Sequence, residues 1–564
     1  MTPQTPPPAN RPGPAELFTP KLVTVLREGY GARAFRADAL AGLTVAVVAL
    51  PLSMAIAIAS GVSPAQGLAT AIVGGFLVSL LGGSRHQIGG PAGAFIVLVA
   101  ATVAQHGVSG LVLATFLSGL MLMVAGWLRL GTFVKFIPFP VTVGFTAGIA
   151  VIIFASQIRE LLGLTLIAEP GPLLQKLPVL WAALPGYSIA AVAVAGGTIA
   201  TILALRRFRP HWPGMLIAVA AASALTAILA LPVATVGTRF GGIPAGLPAP
   251  ALPDLSWSLI VAVLPSALSF TLLGAIESLL SAVVADGMSG TRHRSNAELV
   301  AQGVANVGAS LFGGFCVTGT IARTATNVRA GAHGPVAGML HSLFLLAFMV
   351  LAAPLAAYIP LAALAGVLAV VAWNMIEKPA IAILLRSGTG EAAVLGVTFT
   401  LTIFRDLTEA ILAGFLLGSV LFIHRMSRAA AVTTEMPYVA EDRADRRTGY
   451  DAARVSDPQV VIHHISGALF FGAAASVGSV LDHIGDTHRV LILDLAAVPF
   501  LDSTGANLLE GLARKAQRRG VALYLAGALP DVRAALDRHG LHGVAYAPNV
   551  EAALLASQGD RLPA

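Results

Sequence analysis

Charge is what this chain has least of. Only 11% of its 564 residues are Asp, Glu, Lys or Arg, against 56% hydrophobic, where an ordinary soluble domain carries roughly 25% charged residues. A soluble globular protein is excluded over most of the length. Cysteine is nearly absent: the single Cys316 excludes an internal disulfide and removes any need for an oxidising compartment. No Asn-x-Ser/Thr sequon occurs. Residues 1–16 are Pro-rich and polar, without the apolar run of a cleavable leader, so the first span is expected to act as its own uncleaved signal. Lysine is scarce, since 30 of the 35 basic residues are Arg, which hints at a GC-rich bacterial genome. The Arg residues are scattered near span ends, so the net charge of +7 is not a nucleic-acid footprint. The spans lack H-E-x-x-H, G-x-S-x-G and any metal-ligand cluster, which argues against an enzyme and implies no cofactor and no metal.

What the chain has is apolar length. Fourteen apolar segments lie near 39–59, 64–82, 91–105, 109–128, 138–157, 186–205, 214–232, 257–285, 297–314, 319–330, 334–353, 357–375, 391–405 and 407–423, most of them long enough to cross a lipid bilayer. Basic residues concentrate before the first and after the even-numbered segments, as at Arg36, Arg85, Arg206, Arg292 and Arg425. The positive-inside rule then puts both termini in the cytoplasm. The expected organisation is a cytoplasmic N-terminal segment (1–37), a membrane domain (38–428), a linker (429–457) and a soluble domain (458–564).

Two segments are too short to cross alone. The third follows Gly89-Gly90-Pro91, and the tenth follows Thr318-Gly319. Each is the third of seven. Short, Gly/Pro-interrupted segments at matching places in two halves point to an inverted-repeat transporter and its binding site, and an odd number of spans per half requires opposite topologies. The stretch 269–331 also carries Glu277 in segment eight and Arg323 inside the tenth. Ionisable groups at membrane depth cost roughly 2.5–3.5 kcal/mol each on insertion scales, so they mark function by default.

After residue 458 the composition turns soluble. QVVIHHI (459–465), RVLILDL (489–495) and VALYLAG (521–527) read as strands, and 504–517, 530–538 and 549–557 as helices. The alternation predicts a small sheet covered by helices.

These residues carry a resemblance. AGLTVAVVALPLSMAIAIASGVSPAQGL (41–68), GGSRHQIGGPAGAF (82–95) and AIESLLSAVVADGMSGTRHRSNAELVAQGVANVGASLFGG (275–314) resemble the sulfate permease (SulP) family of anion transporters. HHISGALFFGAAA (463–475) and LDLAAVPFLDSTGANLL (493–509) are similar to the STAS domain that follows the transporter in that family. The resemblance implies a helical polytopic membrane protein of 14 spans in two inverted seven-span repeats. Spans 1–4 and 8–11 would form a core, spans 5–7 and 12–14 a gate, and a small cytoplasmic α/β STAS domain would follow. It further implies a homodimer that works by a moving core, with the anion between the N-termini of half-helices three and ten.

The expected substrate-binding residues are Pro91, Ala92, Gly93 and Ala94 at half-helix three, Thr320, Ile321, Ala322 and Arg323 at half-helix ten, and Leu52 and Ile56 of span one. Helix N-termini offer unpaired N–H groups and a positive dipole end. Arg323 aligns with the family's basic residue, and Thr320, Arg323 and Asn327 share a helical face. Thr324 and Thr326 point elsewhere and read as packing residues. Glu277, with Ser281 one turn on, matches the family's acidic position that sits beside the substrate or binds the coupling cation, and a carboxyl there can carry a proton. A fixed ion pair with Arg323 is the bland alternative. Glu298 reads as part of a capping box begun by Ser295, Asp38 as a cap of the first span, and Asp286 as the end of span eight. The family commonly has Gln where Leu52 stands and Ser where Ala322 stands. The loss of two donors leans toward a small organic anion such as the C4-dicarboxylate fumarate, moved by proton symport. Sodium-coupled bicarbonate or sulfate transport, an uncoupled exchanger or channel, and a membrane sensor are the alternatives. Ser503 and Thr504 match the phosphorylated loop of anti-sigma antagonists, against plain N-capping.

Overall fold

The computed structural model describes residues 18–132, 138–166, 173–209, 212–405, 407–429, 431–435, 460–469, 489–538, 541 and 544–559. The chain divides into two compact units, Met1–Phe415 and Leu416–Ala564.

Each of the fourteen apolar segments is helical. Span 1 is Ala32–Ala59, span 2 Pro64–Leu81, and spans 3 and 4 form one run, Gly93–Trp127. Spans 5 and 6 are Phe139–Leu162 and Ile189–Phe208, and span 7 is Gly214–Ile228. Span 8 is Trp257–Ser289, span 9 Ser295–Leu311, span 10 Ile321–Arg329 and span 11 Val336–Ala356. Spans 12, 13 and 14 are Leu361–Met375, Thr389–Phe404 and Leu407–Ala429. Spans 3 and 4 meet at Gly107, whose φ of 69° and ψ of −175° suit glycine almost alone. The broken third helix thus runs straight into its neighbour.

Packing sorts the spans into two bundles. The run Gly93–Trp127 lies along spans 8 and 9, and span 11 along span 1. Span 5 lies along spans 12 and 13, and span 6 along spans 7 and 12. These are the core and gate of two seven-span repeats of opposite topology. Small residues let backbones approach where lipid supplies no hydrophobic drive. A Cβ on Gly119 would stand 2.7 Å from the Gly303 carbonyl oxygen, and one on Gly303 2.5 Å from that of Gly119. In the gate, a Cβ on Gly144 would stand 2.6 Å from the Leu395 carbonyl.

Span 2 is not uniform. A π-turn, Thr70–Gly74, separates two α-helical pieces. Such turns disturb the regular ladder and gather at functional sites. Here the Thr70 hydroxyl accepts from the Phe315 N–H at 2.9 Å, and the Ala71 carbonyl accepts from the Ser342 hydroxyl at 3.3 Å.

Asp38 does not cap span 1, which begins six residues earlier. It is fully buried and accepts from the Tyr30 hydroxyl (2.6 Å), the His333 N–H (2.6 Å) and the Gly334 N–H (2.9 Å). It therefore ties span 1 to the turn between spans 10 and 11. Burial, then the bond to Asp38, hold the Tyr30 phenol above its usual range. The expected N-terminal segment contains a further helix, Lys21–Arg27, docked through Lys21 N–H to the Gly82 carbonyl.

The first unit has two short strands, β1 (Gly89–Gly90) and β2 (Thr318–Gly319), and the second holds a five-stranded sheet in the order β3 (Ala431–Glu435), β4 (Val460–Ser466), β5 (Val490–Ala497), β6 (Ala522–Ala526) and β7 (Ala545–Ala547). β3 is antiparallel to β4 and the other pairs are parallel. β3 falls inside the stretch expected to be linker, and β7 was not visible as a strand. The helix Ser503–Arg518 closes the apolar core with Leu509 and Leu512 against Leu491, Leu493 and Leu525. Ser503 and Thr504 open that helix, and their side chains lie outside the described residues. The Asp502 carboxylate accepts the Gly505 N–H at 2.9 Å, as an N-cap does. Residues 470–475 of the STAS-like motif and 436–457 of the linker also lie outside the described residues.

Replacing Gly119 by Val drives a side chain into the Gly303 backbone. The expected cost is about 1–3 kcal/mol from overpacking, read as a lower melting temperature of the purified protein. Gly196→Val, at a helix position open to its surroundings, leaves it unchanged.

Candidate functional site

The two broken helices meet through backbone. β1 (Gly89–Gly90) pairs antiparallel with β2 (Thr318–Gly319), with Gly89 opposite Gly319 and Gly90 opposite Thr318. The chain then turns at Ala92 into half-helix three and at Thr320 into half-helix ten, so the two helices start side by side and run in opposite senses. A short sheet there gives the non-helical peptide groups partners that a bilayer cannot supply.

Half-helix ten is fastened to residues 86–88. The Ile88 carbonyl accepts from the Thr320 N–H (3.0 Å) and hydroxyl (3.4 Å). The Ile88 N–H donates to the Thr324 hydroxyl (3.1 Å), and Asn327 Nδ2 donates to the His86 carbonyl (2.9 Å). Thr324 is therefore more than a packing residue. Its oxygen also accepts from Ser281 of span 8 at 3.2 Å, so one buried hydroxyl joins three segments.

Neither half-helix caps itself. Ala92 and Thr320 make no side-chain cap hydrogen bond. Among the described residues, the N–H groups of Gly93, Ala94, Ile321, Ala322 and Arg323 meet no acceptor outside their own helix. Each such terminus carries roughly half a positive charge. Ala322 is exposed and presents a methyl where a hydroxyl would add a donor. A Cβ at Gly93 would stand 3.3 Å from Ile153 Cδ1 and 3.8 Å from Met375 Sδ, so gate spans 5 and 12 form an apolar wall beside the terminus.

Arg323 lies beneath these termini, 1% exposed. Its Nη2 donates to Ser53 Oγ and to the Pro91 carbonyl, both at 3.2 Å. Its Nε and Nη1 have no acceptor among the described residues. Gly90 makes room for the guanidinium: its φ is +156°, and a Cβ there would stand 2.2 Å from Nη1. No carboxylate among the described residues pairs with Arg323. A buried cation with free donors and no counter-ion is costly, and an anion at the two termini would relieve it.

Glu277 sits on span 8, half-buried, with no hydrogen bond or ion pair among the described residues. The static pair with Arg323 is not formed. Span 8 nevertheless holds the site on this face: Gly274 and Ser278 carbonyls accept from the Thr318 hydroxyl (3.3 Å) and Gln87 Nε2 (3.1 Å). Glu277 lies between Gly274 and Ser281 on that face by helical spacing.

Glu298 is not part of a capping box. The N-cap of span 9 is Arg294, which makes no side-chain cap bond, and the Ser295 hydroxyl is paired with the His293 ring instead. Glu298 is fully buried and accepts from the Ser84 N–H (3.0 Å), Gln87 Nε2 (2.9 Å) and Gln302 Nε2 (2.8 Å). It anchors the loop that leads into half-helix three. Leu52 and Ile56 belong to the buried apolar cluster of the core. Their neighbour Ser53, which touches Arg323, was not singled out in the sequence. No motif marks it; only its position next to Leu52 gave a signal.

Residues 35–398 match the Sulfate permease family, and residues 452–553 match the STAS domain. A Bacillus subtilis protein named as a putative sulfate transporter, YvdB, is 39% identical over 91% of this chain and 95% of its own length. The bicarbonate transporter BicA of a Picosynechococcus species is 31% identical over 90% of this chain and 91% of its own. Among solved structures, murine Slc26a9 in its inward-facing state aligns with a TM-score of 0.83 at 19% identity, covering 99% of this chain and 97% of that one. The likeness there is of fold. The transmembrane domain of a cyanobacterial BicA aligns with a TM-score of 0.58 at 29% identity, covering 69% of this chain and 98% of that one.

Glu298→Ala strands three buried donors, each worth about 1–3 kcal/mol when unsatisfied. The expected result is a clear fall in melting temperature, with Glu298→Gln intermediate because its carbonyl still accepts. A melting temperature unchanged in Glu298→Ala contradicts the anchoring role.

Proposed function

Because the chain belongs to the sulfate permease family, we propose that this anion transporter is a proton symporter for a small carboxylate, with a C4-dicarboxylate such as fumarate the leading substrate. The observation that carries the reading is the buried Arg323, without a counter-ion among the described residues, beneath two uncapped helix termini. One carboxylate of the substrate takes the N–H groups of Gly93, Ala94 and Ile321–Arg323. The apolar remainder lies against Ala322 and the gate side chains Ile153 and Met375. Leu52 and Ile56 back this wall from within the core.

Charge explains the coupling. Two termini at about half a charge each plus Arg323 amount to roughly two positive charges. An ionised Glu277 beside them reduces that sum. Protonating Glu277 restores it, so a doubly charged anion and a proton load together and leave together. Ser281 supports Glu277 from one turn away. The core carrying this site shifts against the gate, in an inner membrane, with both termini cytoplasmic and two copies per assembly. The STAS domain serves as a regulatory or dimer module, with Ser503 or Thr504 its phosphorylation point.

A second reading is sodium-coupled bicarbonate transport. The printed names of the two BicA relatives, 31% and 30% identical, favour it. Glu277 would then stay ionised and hold the cation.

Uptake into proteoliposomes separates the two. With fumarate, succinate, bicarbonate, sulfate and chloride offered in turn, fumarate or succinate uptake rises with an inward proton gradient and is unchanged when choline replaces Na⁺. Glu277→Gln loses the gradient dependence, and an unchanged pH dependence sinks the proton role. Arg323→Ala weakens binding of the transported anion by at least ~2 kcal/mol, about 30-fold, as truncation of a buried charge partner does. Thermal shift against the anion panel checks this, and a flat response of the unsubstituted protein to every anion sinks the site.

A further inference from the structure

Away from the anion site, a cavity of about 480 Å³ opens between core and gate. Leu50 and Met54 of span 1 and Phe348 and Ala353 of span 11 form its core wall, and Ala220 and Ala224 of span 7 its gate wall. Among the described residues, no Asp, Glu, Lys, Arg or His lines it. Its polar side chains are Ser223, whose hydroxyl is spent on the Val219 carbonyl at 2.8 Å, and Tyr358 near one end. Water entering such a space lacks the two to four polar partners it needs.

The bilayer supplies a better occupant. Leu355, a lining residue, is itself 69% exposed, and the same helices carry the outward-facing apolar side chains Leu225, Ile228 and Leu351, which are 51%, 79% and 80% exposed. From Leu216 to Ala227 of span 7 the slot runs about 16 Å at 1.5 Å per residue. That is close to half of the roughly 30 Å hydrocarbon thickness, the depth of one leaflet. Tyr358 then falls where aromatic residues meet headgroups.

We propose that this slot seats one acyl chain of a membrane phospholipid, held between core and gate. The absence of charge selects the tail rather than the headgroup. Because one wall belongs to each bundle, the seated chain is a wedge whose fit changes as the core moves, so it tunes the transport rate. That consequence rests on the moving-core reading above; the seat itself does not.

The test begins with lipid retention, which needs no transport. The full-length chain is taken from membranes into mild detergent and washed, and its phospholipid and free fatty acid are extracted and counted. Ala353→Phe and the milder Ala224→Leu fill the slot. Both are expected to retain one phospholipid fewer than the unsubstituted chain, at unchanged melting temperature. Equal retention by all three, or recovery of free fatty acid in place of phospholipid, overturns the proposal. Should Ala353→Phe fail to fold, Phe348→Trp gives an independent reading in bilayers of dibrominated phosphatidylcholine. Quenching of the added tryptophan, relieved by Ala224→Leu, supports the seat, and absence of quenching overturns it. If retention behaves as expected and the uptake rate of Ala224→Leu matches that of the unsubstituted chain, the seat stands and the tuning role falls.

Discussion

Peptide groups that leave a helix at membrane depth must find partners within the protein, and the transport domain is organised around meeting that demand at one place. The four residues of β1 and β2 pair with each other, and Ile88 spends both of its backbone groups on half-helix ten. Only with those groups satisfied can the chain leave others unsatisfied on purpose, at the two helix N-termini. The proposed site is the remainder: donors that the fold does not consume. Span 8, the π-turn of span 2 and the Glu298 anchor all act on the segments that create this remainder.

The same logic assigns Arg323 its part. Ser53 and the Pro91 carbonyl hold one nitrogen of its guanidinium, and Gly90 lets the rest lie flat against backbone. A side chain fixed from below cannot close on an anion as a clamp does. On the proposed reading it contributes potential more than contact, and selectivity would pass to what borders the termini: backbone N–H groups, the Ala322 methyl, and the gate side chains Ile153 and Met375. Under that proposal shape and total charge would be the discriminating properties, rather than a bidentate match.

Periodicity and composition made much of this legible. All fourteen spans, the paired breaks at Gly89-Gly90-Pro91 and Thr318-Gly319, and the soluble α/β tail were readable because hydrophobic length, glycine and proline act locally. What escaped were long-range partners. Glu298 sits in a good local imitation of a capping box, yet one of its partners, Gln87, is 211 residues away in the chain. Asp38 precedes an apolar run as a cap would, but its acceptor oxygens are filled from Tyr30, His333 and Gly334. Thr324 faces away from Arg323 on its own helix, and only the fold reveals Ile88 and Ser281 waiting there. β3 hid in a segment whose composition reads as linker, because an edge strand needs only one neighbour and little hydrophobic pattern.

The pairing of β1 with β2 also bears on how the protein is made. Ile88 and Thr324 are 236 residues apart, so when the first half has been inserted its lead-in strand has nothing to pair with. For the whole interval of synthesis between them, polar backbone stands unmatched inside the bilayer, at a cost of several kcal/mol for each group. The arriving second repeat completes the first, and a chain that stops short of residue 319 leaves the backbone of Gly89 and Gly90 without its partners.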